Sequence, residues 1–293
     1  MNAISNTPTG QTDALTDVQN LHDDRGIQLQ QVGVKGVAIP LTLLEKHGGT
    51  QSVHAKVALS VHLDKRLKGT HMSRFVILLA EWSREQSFSH NLKAFLGEMQ
   101  ARLKAESAHI RIDFDYFIDK AAPVTKLAAP MAYPCFFEAR LDGGKNGRYS
   151  FLMGVEAAIS TCCPCSKEIS DYGAHNQRTL VRTKIQLDVD DDQPIVWIED
   201  VAQLIDDCAS CPVYPILKRV DEKYVTERQY DNPKFVEDVM RDTIAAFKAQ
   251  PAIAGFEVEV EALESIHGHN AWAYENRLKP TPATPPSPAN DLP

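Results

Sequence analysis

The chain has 293 residues, 43% of them apolar, enough for one large domain or two smaller ones with a sizeable core. Its 31 basic and 39 acidic residues leave a net charge of −8, which argues against a general nucleic-acid binder, since that role needs a basic surface. There is no basic and apolar leader and no run long enough to span a bilayer, so the expectation is a cytoplasmic protein without membrane contact, its thiols reduced.

Residues 1–30 are polar and read as a disordered arm. The stretch from Val32 to Pro40 is a candidate first strand. From Val53 to Leu63 the odd positions are apolar and the even ones include His54, Lys56, Ser60 and His62, which is a strand with one buried face. Met72 to Trp82 reads as a helix. Phe88, Leu92, Phe95, Met99 and Leu103 then fall at helical spacing. Ile110, Ile112, Phe114 and Tyr116 alternate with polar residues, and Cys135 to Leu141 and Arg148 to Ser160 read as further strands around a turn at 142–147.

The pattern then repeats. Ile185, Leu187 and Val189 alternate with polar neighbours. Asp200 is placed to cap a short helix carrying Val201, Leu204 and Ile205. Asn232-Pro233 has the form of a helix start, a capping side chain followed by proline at the first position. Phe256, Val258 and Val260 alternate with glutamates. Each half reads strand, strand, helix, helix, strand, strand. The expectation is α+β, two tandem modules over 31–145 and 146–278, each an antiparallel sheet with two helices on one face. The segment from Lys279 to Pro293 holds six of the seventeen prolines and reads as a tail.

The chemistry concentrates between Thr161 and Arg178, where Cys162, Cys163, Cys165 and His175 lie on the connection between two strands. Thiolate and imidazole both suit a borderline-soft metal, and either can serve acid/base or nucleophilic chemistry. One pattern is a closed Cys₄ zinc site from the pairs Cys162/Cys165 and Cys208/Cys211, which leaves Cys163 and His175 unexplained. The other is a mixed site on Cys163 and His175. Its remaining ligands come from the charged loop Asp221-Glu222-Lys223 or from the histidines of Ile266-His267-Gly268-His269. Spacing does not choose among them.

Cys163-Pro164-Cys165-Ser166-Lys167-Glu168-Ile169-Ser170 and Tyr172-Gly173-Ala174-His175-Asn176-Gln177-Arg178 resemble the signature of the type IB GTP cyclohydrolases. So do Leu217-Lys218-Arg219, Asp221 to Glu227, Asn232 to Asp238, Glu264-Ser265-Ile266-His267 and Lys68 to Phe75. Cys162 and Val220 depart from that pattern, where the family has an apolar residue and a proline.

The resemblance implies a tunnelling fold of two modules per subunit and a homotetramer with active sites at its interfaces. It implies conversion of GTP to 7,8-dihydroneopterin triphosphate and formate, the first step of pterin and tetrahydrofolate biosynthesis. The cofactor it implies is one divalent ion per site, manganese, iron or zinc. Carried over by motif, Cys163, His175, Glu222 and His267 are the metal ligands, and Cys163 and His175 are the catalytic pair. Glu237 is the guanine anchor. Lys218, Arg219, Lys223, Arg178, His71 and Arg74 are the triphosphate contacts, with guanidinium forks suited to phosphate.

Overall fold

A computed structural model describes residues 17–84, 91–143, 147–187 and 195–280. Phe88, Val189, residues 1–16 of the expected arm, part of the 142–147 turn and residues 281–293 of the expected tail lie outside the described residues. Of the remaining arm, residues 18–20 form a short 3₁₀ turn, and Gln19, Leu21 and Asp23 bond to the backbone of Gly69, Lys68 and Arg66.

The first half of the chain runs β1 (Leu29–Leu44), β2 (Thr50–Leu63), α1 (Met72–Trp82), α2 (Leu92–Leu103), β3 (Ser107–Ala121) and β4 (Ala128–Asp142). The second runs β5 (Arg148–Cys162), α3 (Pro164–Ile169), β6 (Asn176–Leu187), α4 (Ile198–Asp207), β7 (Cys211–Pro212), α5 (Arg219–Asp231), α6 (Val236–Lys248), β8 (Ile253–Ala262) and β9 (Ala271–Asn276). The strands form one antiparallel sheet in the order β1-β2-β3-β4-β5-β6-β8-β9, rather than one sheet per half, because β4 pairs with β5 from Cys135↔Val155 to Asp142↔Arg148. Beyond Val155 the β4 side of β5 is taken by β7, which pairs at Ile159↔Pro212 and Ser160↔Cys211.

Period-2 alternation gives the sheet two unlike faces. Val53, Ala55, Val57, Leu59 and Val61 of β2 are buried, as are Ile110, Ile112 and Phe114 of β3 and Val258 and Val260 of β8. Against them pack Phe75, Leu78 and Leu79 of α1, Phe95, Leu96 and Met99 of α2, Val201 and Ile205 of α4, and Val239 and Phe247 of α6. The other face is charged and half-open. Arg182 of β6 bonds Glu156, Glu259 and Glu261 at 2.8, 2.5 and 2.7 Å, and the Arg111 guanidinium lies 3.8 Å over the Phe136 ring. That ring fits because residue 154 is glycine; a Cβ there would stand 1.9 Å from it.

Two expected helix starts are displaced. α4 begins at Ile198 after Trp197, so Asp200 lies in its first turn and pairs with Lys46 instead of capping. α6 begins at Val236 after Phe235, with Asp238 accepting from the Phe235 N–H at 3.0 Å. Asn232 is occupied elsewhere, donating from Nδ2 to the carbonyls of Ala209 (2.9 Å) and Ser210 (3.2 Å). The charged stretch around Asp221 is not a loop but the first turn of α5. No described helix is long and apolar enough to cross a membrane.

Candidate active site

β5 ends at Cys162, and the chain turns directly into α3. Cys163 caps that helix, its Sγ accepting from the Ser166 N–H at 3.4 Å, with Pro164 in the first position where no N–H is needed. The loop is then closed onto the start of β6. The Cys163 N–H donates to the His175 carbonyl at 3.0 Å. Ser166 Oγ donates to the Cys163 carbonyl at 3.1 Å and accepts from the His175 N–H at 3.2 Å. The two residues twelve apart in sequence are therefore neighbours by backbone pairing.

The imidazole is held from one side. Nδ1 lies 3.0 Å from Gln177 Oε1, 3.5 Å from Ser265 Oγ and 4.0 Å from Glu264 Oε2. Gln177 Nε2 donates to Thr161 Oγ1 at 3.0 Å, and Thr161 shares a 2.8 Å bond with the buried Thr179. Register explains the contact, since Thr161 and Gln177 are directly opposite on β5 and β6. Glu264 Oε2 is buried without a hydrogen-bond partner. Nδ1 thus faces a carboxylate and an amide oxygen, an arrangement typical of histidines that bind metal through the other nitrogen.

Glu222 and Lys223 are exposed on α5, and Lys223 pairs with Glu227 one turn on. Lys218 is the N-cap of α5, and Arg219, Arg178 and Glu237 are exposed, the last in the first turn of α6. His267 is exposed and stacks on His269 with ring centroids 5.4 Å apart. The single chain brings Cys163 and His175 together. Among the described residues no three His, Cys, Asp or Glu side chains are grouped to hold an ion, so Glu222 and His267 do not complete the set within it.

His71 and Arg74 belong to a different cavity, of about 360 Å³, lined also by His62, Arg66, Thr70 and Lys104. None of its lining residues belongs to the Cys163–His175 group. There His71 Nε2 is 3.2 Å from Asp17, and Arg74 Nη1 donates to the Arg102 carbonyl at 3.2 Å.

The Cys₄ arrangement does not form. Cys165 is exposed while Cys162, Cys208 and Cys211 are buried, and among the described residues no three such side chains are grouped to hold an ion. All six cysteines are free.

Two groups carry a role that the sequence reading does not give them. One is Gln177 with Glu264, both inside quoted motifs; the same-face spacing of residues 175 and 177 on a strand is the signal for the first. The other is Asp221, wholly buried. Burial alone would push its carboxyl up, but donors from Thr125, Lys218 and Val124 outweigh that and hold it well below the usual carboxylate range. A lowered folded-state value contributes stability above the ordinary carboxylate range and loses it on acidification. The melting-temperature gap between wild type and Asp221→Asn is therefore expected to narrow as pH falls below about 4. A gap that stays constant as pH is taken well below that range would show that the ionised carboxylate contributes nothing.

A family model described as type I GTP cyclohydrolase folE2 matches residues 15–273. GTP cyclohydrolase FolE2 of Dictyoglomus turgidum is 45% identical over 261 residues, covering 88% of this chain and 96% of that protein. The protein of the same name from Magnetococcus marinus is 45% identical over 260 residues, covering 89% and 95%. Among solved structures, urate oxidase of Bacillus sp. TB-90 aligns with a TM-score of 0.48 at 9% identity, covering 86% of this chain and 97% of that one.

Proposed function

The chain belongs to the type I GTP cyclohydrolase FolE2 family, and on that premise we propose that it converts GTP and water to 7,8-dihydroneopterin triphosphate and formate. The observation that carries the reading to a site is the closed loop that sets Cys163 beside His175.

A thiolate, two imidazoles and a carboxylate suit a divalent ion such as manganese, iron or zinc. The fit is supported by the orphaned Glu264 oxygen on the Nδ1 side of His175, which leaves Nε2 as the binding nitrogen. Cys163, His175, Glu222 and His267 would hold the ion. When bound, it supplies Lewis acidity that brings a coordinated water to a near-neutral pKa.

The chain's own residues do the rest. His175, when not bound through Nε2, moves protons to and from the opening imidazole ring of guanine as general acid and base. Glu237 accepts from the N–H edge of guanine and fixes C8 toward the catalytic pair. Lys218, Arg219, Lys223 and Arg178 hold the triphosphate, joined by His71 and Arg74. Those last two line a separate cavity of the single chain, and in this reading they reach the nucleotide from a neighbouring copy. We therefore place the active sites at interfaces of a homotetramer of two-module subunits, 31–145 and 146–278, in the cytoplasm. Glu222 and His267, both exposed on the single chain, complete the metal set on assembly.

The test is GTP turnover by chelator-treated protein with and without added manganese, reading pterin fluorescence after oxidation and formate release. Both products are expected to vanish on chelation and return with the ion. Folded, reloaded protein that makes neither product with manganese, iron or zinc would overturn the proposal.

A further inference from the structure

We infer that Asp221 is a positioning residue: a buried carboxylate that locks the first turn of α5, with Lys218, Arg219, Glu222 and Lys223, against the β3–β4 hairpin. The inference rests on the reading of Glu222 as a metal ligand. Both oxygens of Asp221 are used. Oδ1 accepts from the backbone N–H groups of Val124 and Thr125, each at 2.9 Å. Oδ2 accepts from Thr125 Oγ1 at 2.7 Å and from the Lys218 N–H at 2.9 Å. One side chain is therefore both the capping-box acceptor of its own helix and the receptor of a hairpin almost a hundred residues earlier.

The helix has little else to fix it. Asp221 and Gln229 are its only buried residues, and Gln229 is tied to Ser160 Oγ at 2.6 Å. No apolar stripe seats α5 on the core; Asp221 anchors its first turn, while Gln229, the Lys167 ammonium on the Tyr230 carbonyl and the Asn232 C-cap hold its far end. Releasing the Asp221 anchor leaves the helix free to pivot about Gln229. The end that swings carries the groups assigned to metal and triphosphate. Fixed backbone donors make the anchor directional in a way that apolar packing is not.

The experiment compares full-length wild type, Asp221→Asn, Thr125→Val and Glu222→Gln for Mn²⁺ affinity, read by the paramagnetic resonance of free Mn²⁺, and for GTP kcat and KM. Asp221→Asn removes the charge and replaces one carboxylate oxygen by an N–H₂ that faces two of the four donors; Thr125→Val removes one donor at nearly constant volume and serves if the first variant does not fold. Loss of a group that orients a metal ligand costs about 10–100-fold in affinity or activity, and Asp221→Asn is expected in that range, with Thr125→Val at its lower edge. Both are expected to raise KM for GTP as the triphosphate groups lose register, with a circular dichroism spectrum unchanged. A residue that served global stability alone would leave Mn²⁺ affinity of the folded protein at the wild-type value. Folded Asp221→Asn or Thr125→Val with wild-type affinity and KM overturns the inference while Glu222→Gln still binds weakly. Glu222→Gln with unaltered affinity overturns the ligand reading and this inference together.

Discussion

Cys163→Ala and Cys163→Ser are both expected to abolish GTP turnover, and to weaken Mn²⁺ binding by more than the roughly 10–100-fold that loss of an outer partner costs. The pair of variants separates the capping that the structure shows for this side chain from the ligand role proposed for it. As N-cap of α3, Sγ accepts from the Ser166 N–H, and serine is a better cap than cysteine, so Cys163→Ser keeps or strengthens α3. The hydroxyl does not ionise near neutral pH and is a poor ligand for a borderline-soft ion. If capping were the whole role, Cys163→Ser would behave as wild type and Cys163→Ala would lose about 1 kcal/mol of stability and little activity. If Cys163 were a small half-buried apolar residue, alanine would be tolerated outright. Circular dichroism and Mn²⁺ titration on both variants decide among the three. Near-normal turnover in either one removes Cys163 from the ligand set.

What could be read in the chain beforehand follows from what periodicity reports. Alternation and helical spacing record which side of an element is buried, so β2, β3, β8 and the buried face of α2 were legible from the runs that hold Val53, Ile110, Phe256 and Phe95. α5 was not, because Arg219 to Asp231 has no apolar stripe and is anchored by Asp221 and Gln229, contacts that exist only in the folded chain. The start of α6 misled for a related reason. Asn232 has the chemistry of a cap, but its amide is spent on the carbonyls of Ala209 and Ser210, and the chain enters the helix only at Phe235. At the site, the pairing of Cys163 with His175 was implicit in a loop short enough to close on itself. Glu222 and His267 were chosen by motif and not by spacing, and in the single chain they stay exposed and apart from the pair. Gln177 lay in view, two residues from His175, but Glu264 was invisible as its partner because that contact depends on the pairing of β6 with β8.

Glu237→Gln is expected to lower kcat/KM for GTP by about 10- to 150-fold with little change in melting temperature. A carboxylate accepting from the N–H edge of guanine makes charge-assisted hydrogen bonds, and removing the charge costs roughly 1.5–3 kcal/mol, which is the quoted factor at about 1.4 kcal/mol per decade. The competing account is that Glu237 merely favours the N-terminus of α6, where an acidic residue contributes about 0.3–1 kcal/mol. The structure weighs against that being its main use. The capping box of α6 is already made by Asp238, which accepts from the Phe235 N–H at 3.0 Å. Glu237 is turned away from the Val236, Met240 and Phe247 side and is exposed, with no hydrogen bond or ion pair to another described residue. A carboxylate in that state costs nothing to desolvate until a ligand arrives, and its partner must then supply two parallel N–H donors to make the burial favourable. Guanine does so and adenine does not. Competition by GTP and ATP for the wild-type site should therefore differ, and Glu237→Gln should shrink the difference. Equal competition by both nucleotides in the wild type, or wild-type kcat/KM in Glu237→Gln, would assign the carboxylate to the helix terminus and leave the guanine anchor to be sought elsewhere.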